Sequence, residues 1–274
     1  MTKKIIPYNI KVHNKISKKY EESHGDIYND IEQKRLRNSL AESIAYINTS
    51  SKRKEAFDFG AGAGNLTKHM LELNLDVCAG DVSDNFLDLI ISKFKEKYRG
   101  HISTIKINGE NLHNINTYSF DFVASYSVLH HVPKYLELVE EFCRILKPGG
   151  VLYIDHENSS DFWKQNSHYK DYLKDLKKIR KSVSRFFHLF IPTYWIYLFK
   201  SFVNPRFRIE GDIHVFPDDH IEWGKIRSIL IKNNFEILKE HSYLLYRKGF
   251  PINLYNKYKN TCNDVCLIVA RKIK

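Results

Sequence analysis

The period of the apolar positions changes repeatedly along this chain. Short apolar runs at Glu55 to Phe59, Leu75 to Gly80, Ile102 to Ile107, Phe120 to Ser125 and Val151 to Asp155 have the length of buried strands. Between them the spacing is helical. Asn65 to Leu73 and Asp84 to about Tyr98 read as helices, and Tyr135, Leu138, Val139, Phe142, Ile145 and Leu146 recur on one helical face. Lys147-Pro148-Gly149-Gly150 stops that last helix, because neither proline nor glycine continues it well. Further on, Ile221 to Asn233 reads as a helix, with Asp219 and Glu222 at capping-box spacing, and Phe235 to Tyr246 and Asp264 to Ala270 read as two long strands.

Strands alternating with helices predict an α/β fold: a Rossmann-like, mostly parallel sheet of seven strands with helices on both faces. Four segments follow. Residues 1–54 are a helical extension that could close over the ligand mouth but is expected to pack on the sheet, and 55–157 are the ligand-binding core. Residues 158–217 break the alternation and form a basic, aromatic helical insertion after the fifth strand. Residues 218–274 return to the core with a helix and the last two strands.

Composition adds two constraints. Of the 274 residues 43% are hydrophobic, which predicts a folded globular protein. The net charge of +11 is concentrated: from Lys164 to Arg208 there are 11 Lys/Arg against 2 Asp. Such a surplus suits nucleic acid, anionic lipid or a solvated surface. The four cysteines lack disulfide or zinc spacing, and no long apolar run follows the N-terminal lysines. A reducing, cytoplasmic setting is therefore expected, with membrane association as a variant of it.

The chemistry concentrates after the first strand, in Asp58-Phe59-Gly60-Ala61-Gly62-Ala63-Gly64-Asn65. Glycine at every second place lets a ligand approach the backbone, and the next helix offers its positive end. A dinucleotide fingerprint wants a third glycine where this chain has Asn65. The pattern D-x-G-x-G-x-G instead resembles the first motif of class I S-adenosylmethionine-dependent methyltransferases. Asp81 after the second strand, the stretch Ile107 to Leu112, Ser119 to Pro133, and Arg144 to Gly150 resemble the family's later motifs in order and spacing.

The resemblance implies S-adenosylmethionine as cofactor, held by Asp58, Gly60, Ala61, Gly62, Gly64, Asp81, Val82, Asn108, Gly109, Glu110 and Ser125. Asp81 would accept the ribose hydroxyls with its two oxygens, and Asn108 would meet the adenine amino group. A direct displacement needs positioning above all. An acceptor hydroxyl also needs a base, for which His131 and His156 are candidates, with Glu157 as a fallback. Strand alternation sets His156 on the side opposite Asp155 and Glu157. His214 with Asp212, Asp218, Asp219, His220 and Glu222 reads as a loop and helix start, so no metal is expected.

The expected activity is methyl transfer to a small molecule, at oxygen of an apolar, lipid-like or glycosyl acceptor. The alternatives are nucleic-acid methylation gripped by the basic insertion, which the lack of an Asn/Asp-Pro-Pro-aromatic motif disfavours, and a non-catalytic binding module. The run Phe186 to Phe199 is too short and interrupted to span a membrane. It is expected to be a lid over the acceptor, with contact to an anionic membrane surface as the other reading.

Overall fold

The computed structural model describes residues 5–16, 20–180, 192–208 and 210–274. Three helices come first: α1 (Ile5–Ile16), α2 (Tyr20–Ser23) and α3 (Asp30–Ala45). The alternating core follows as β1 (Glu55–Phe59), α4 (Asn65–Glu72), β2 (Asp76–Asp81), α5 (Asp84–Phe94), β3 (Ile102–Lys106), β4 (Phe120–Tyr126), α6 (Tyr135–Ile145) and β5 (Leu146–Asn158). Then come α7 (Ser160–Lys164), α8 (Ser167–Arg180), α9 (Pro192–Val203), a two-stranded ribbon of β6 (Val215–Phe216) and β7 (Asp219–His220), α10 (Trp223–Lys232), β8 (Phe235–Tyr243), α11 (Ile252–Tyr258) and β9 (Val265–Lys272).

The main sheet runs β3-β2-β1-β4-β5-β9-β8. Its first five strands are parallel, and β9 lies antiparallel to both β5 and β8. The order reverses between β1 and β4, so their carboxyl ends flank a crevice. Helices cover both faces, which is why the central strands are apolar throughout rather than alternating. On one face Leu138, Phe142, Ile226 and Leu230 of α6 and α10 pack on Val123, Ile154 and Ile268. On the other, Leu36, Leu40, Leu66 and Met70 of α3 and α4 pack on Phe122, Tyr153 and Val269.

A buried polar network ties α3 to the sheet. Arg35 bonds Glu32 at 2.7 Å and Asp155 of β5 at 3.0 Å, and its guanidinium lies 4.0 Å over the Tyr243 ring of β8. The hydroxyls of Tyr153 and Tyr243 donate to the same Asp155 carboxylate, at 2.6 and 2.8 Å.

Three expectations are corrected. The fifth strand is longer than Val151 to Asp155: α6 ends before the proline–glycine stretch as expected, but that stretch already belongs to β5, where the pairing with β4 slips between Phe120 and Phe122. The capping box before α10 does not form: Glu222 is the N-cap and bonds Lys225, while Asp219 pairs with His214 across the small ribbon. Alternation also fails in β5. His156 has φ +65° at a bulge, where the register with β9 slips between Ile154 and Glu157. The extra residue turns Asp155 toward α3 and Glu157 toward the loop after β4, so these two carboxylates point to opposite faces.

Candidate active site

The crevice at the strand-order reversal opens into a cavity with about 920 Å³ of empty space, open solvent at its mouth included. Its floor is the glycine turn. Gly60 has φ +69°, and a Cβ there would sit 2.6 Å from Val128, so only glycine fits. Gly62, at φ +51°, would meet no protein atom nearer than 3.9 Å, leaving its backbone open to a ligand. Gly64 is the left-handed N-cap of α4.

Two carboxylates frame this turn. Asp58 accepts a hydrogen bond from the Thr67 hydroxyl at 2.6 Å, and burial pushes its pKa up to about 7 against the pull of that bond. Asp81 accepts Gly62 N–H on one oxygen and Ser83 N–H on the other, both at 2.8 Å. Burial raises it to about 6, against those same bonds. Each oxygen keeps a lone pair for a further hydroxyl donor.

Helix α1 and the residues after it form the roof, where Ile6, Asn9, His13, Tyr20 and Tyr28 line the cavity. Both readings of the N-terminal segment apply, to different helices: α3 packs on the sheet, whereas α1 lies over the ligand mouth. Asn9 Oδ1, His13 Nε2, Asn65 Nδ2 and the Tyr126 hydroxyl are buried in this wall without a hydrogen-bond partner. Buried polar atoms are rarely left so, and a polar ligand would satisfy them. Periodicity marks Asn9 and His13 only as helical, and their sequence distance from the glycine turn hid their role.

The wall matches a known domain. Residues 57–154 fit the family model described as a methyltransferase domain. Residues 57–154 of this chain are thus a methyltransferase domain. The chain is 31% identical over 112 residues to the mitochondrial ubiquinone biosynthesis O-methyltransferase of Dictyostelium discoideum, a match covering 38% of this chain and 35% of that protein. It is 28% identical over 123 residues to the ubiquinone biosynthesis O-methyltransferase of Methylococcus capsulatus, covering 45% of this chain and 52% of the relative. The chain thus spans between a third and about half of the length of these relatives. The fold is that of an S-adenosylmethionine-dependent methyltransferase from Mesorhizobium loti, with a TM-score of 0.54 at 15% identity, covering 86% of this chain and 100% of that one.

The methyltransferase cofactor is S-adenosylmethionine, and the residues present fit it. Asp58, Gly60, Ala61, Gly62, Asp81, Val82 and Gly109 all line the cavity. Four expected contacts do not, the first being Gly64, which caps α4 instead. Asn108 is exposed and folds its amide back onto the N–H groups of Glu110 and Asn111, at 2.8 and 2.9 Å, which leaves Gly109 as the residue at the wall. Glu110 is exposed too. Ser125 is buried within β4, and Tyr126 and Ser127 take the place expected for it.

The expected bases also separate. His131 lines the cavity, and burial, followed by the nearby charges of His130 and His13, lowers its pKa well below the usual histidine range. His156 lies outside the wall, stacked on Tyr126 at 4.7 Å, and burial lowers it to about 4. Glu157 is committed to structure: it accepts Val128 N–H at 2.9 Å, Leu129 N–H at 2.7 Å and bonds His130 Nδ1 at 2.7 Å. Burial alone would lower His130, but the Glu157 charge and hydrogen bond raise it to about 9.

The described part of the insertion does not line the cavity. Instead Tyr169, Tyr172 and Leu176 of α8 pack with Tyr258 and Cys262 beside α11. Part of the aromatic run expected to form a lid, residues 186–191, lies outside the described residues. Asp212 leaves the group read as a loop and helix start: its carboxylate lies 3.4 Å from His131 Nδ1 and 4.0 Å from His130 Nε2.

Proposed function

We propose that this chain transfers a methyl group to a hydroxyl oxygen of a small, apolar acceptor. The observation that carries the reading is a pair of histidines, His13 and His131, packed edge to face at 5.4 Å in the cavity wall. Burial lowers the pKa of both, which favours the proton-accepting form. When bound, S-adenosylmethionine supplies a methyl already activated by its sulfonium. The chain's own residues then have two tasks. The glycine turn and Asp81 fix the donor, while α1 covers the mouth and excludes water. His13 Nε2, buried and without a partner, accepts the hydroxyl proton as the oxygen attacks.

The names of the two curated relatives, both O-methyltransferases of ubiquinone biosynthesis, support oxygen as the acceptor atom and a small molecule as its class. The mostly apolar roof of Ile6, Ile27, Tyr20 and Phe86 supports the same class over a nucleic-acid base. No helix among the described residues is long and apolar enough to cross a membrane. The outward stripe of α9 supports peripheral contact with an anionic lipid surface, from which an apolar acceptor would be drawn.

Methyl transfer from labelled S-adenosylmethionine to a panel of phenols and catechols, with and without apolar tails, tests the reading. Labelled ether products are expected. His13→Ala should lower kcat by about 10²- to 10⁴-fold, the usual worth of a general base, with cofactor binding retained. A sample that binds the cofactor but methylates no hydroxyl in the panel would overturn it.

A further inference from the structure

We propose that His130, His131 and Asp212 form a binding site for a first-row divalent cation of the zinc type, beside the acceptor end of the cavity. The two histidines are consecutive on the single turn Leu129–His131 after β4. Asp212 comes from far along the chain, and backbone bonds hold it there: Ile213 N–H and His214 N–H both donate to the His130 carbonyl, at 3.0 and 3.2 Å. One ligand atom from each of the three side chains lies within 4.8 Å of the other two.

The spacing argues for a cation rather than for hydrogen bonds. Asp212 Oδ1 lies 3.4 Å from His131 Nδ1 and 4.0 Å from His130 Nε2, too long for well-made N–H···O bonds, and His131 Nδ1 is buried with no hydrogen-bond partner. Ligands about 2.0–2.1 Å from a tetrahedral metal are separated by about 3.4 Å. His130 also has the outer partner that metal-bound histidines use. Its Nδ1 is bonded to Glu157 at 2.7 Å, and Glu157 is itself fixed by two backbone N–H groups. That leaves Nε2 for the metal. Two imidazoles and one carboxylate suit zinc or cobalt better than magnesium or calcium, which prefer all-oxygen sets.

Three protein ligands with a free position is the pattern of a catalytic rather than a structural site. Since His131 also lines the cavity, the free position would take the acceptor oxygen and favour its ionised form. That role rests on the proposed O-methylation; the site itself does not. With His131 so engaged, His13 remains the free base.

The test uses the full chain, stripped with a chelator and titrated with Co²⁺. One Co²⁺ per chain is expected, with the visible absorption of a four-coordinate site, displaced by Zn²⁺ and not by excess Mg²⁺. Asp212→Asn and His131→Gln should each weaken Co²⁺ binding at least about tenfold. Glu157→Gln should weaken it by about 10- to 100-fold, as loss of an outer partner does: its amide oxygen still serves Val128 and Leu129, but its N–H₂ forces the His130 proton onto Nε2. Calorimetry with S-adenosylmethionine accompanies each titration, because Asp212 does not line the cavity and its variant should bind cofactor normally. No Co²⁺ uptake by a chain that binds S-adenosylmethionine, or uptake unchanged in Asp212→Asn, would overturn the proposal. Normal Co²⁺ binding with no metal dependence of methyl transfer would retain the site and sink only its role toward the acceptor.

Discussion

Asp81 lines the cavity while holding the glycine turn together. Its carboxylate already holds the Gly62 and Ser83 N–H groups, so it fixes the glycine turn while keeping acceptor capacity for a diol. Its pKa of about 6 lies above that of a free aspartate because burial penalises the charge. The ionised form is the acceptor, so protonation as pH falls through about 6 should weaken S-adenosylmethionine binding. Calorimetry at pH 7.5 and pH 5.5 is expected to show that loss in the natural chain and almost none in Asp81→Asn. At pH 7.5 the variant should bind about 10- to 100-fold more weakly, from the loss of charge-assisted hydrogen bonds. Equal affinity at pH 7.5 would remove Asp81 from the cofactor site. The sequence marked this residue because it directly follows an apolar run. It could not expose Asn108 as a turn-former, since an Asn that folds back and one that faces a ligand look the same in one dimension.

Among the elements, α9 bears the most exposed apolar surface. Trp195, Phe199, Phe202 and Val203 share one helical stripe, with Phe202 86% exposed. Lys200, Arg206 and Arg208 lie near it, stacked on Phe207 and Phe216. A stripe of this kind suits the headgroup region of a bilayer, with about 1 kcal/mol from each basic residue near an anionic surface. The chain should co-float with vesicles containing anionic lipid and not with zwitterionic ones. Phe199→Ser with Phe202→Ser should reduce the floated fraction severalfold, and failure of the natural chain to float would exclude the contact. The helix and its charge were legible in the sequence, but its place away from the cavity was not. Apolar residues on a helix point equally to a pocket, a core or a membrane until the packing is known.

For the molecule as a whole, the Glu32–Arg35–Asp155 network fastens the N-terminal segment to the sheet. Asp155 is fully buried; burial alone would raise its pKa, but Arg35 and the two tyrosine hydroxyls hold it below the ordinary aspartate value. Removing one member of a buried pair strands the other charge, at about 3–5 kcal/mol. Arg35→Met should therefore lower the free energy of unfolding by about that amount in denaturant titration. A change under about 1 kcal/mol, the worth of an exposed pair, would show that the network is hydrated and carries little.

Local pattern determined the order of strands and helices, the glycine turn, Asp58 and Asp81, because these depend on residues within a few positions of one another. It therefore also determined the cofactor. What depends on residues distant in sequence was decided by tertiary structure alone. A bulge at His156 split Asp155 from Glu157 against simple alternation. Chain closure brought His13 over a turn some fifty residues away and set Asp212 against the two histidines of the loop after β4. Side-chain periodicity records which face a residue is on; only packing brings two such faces together.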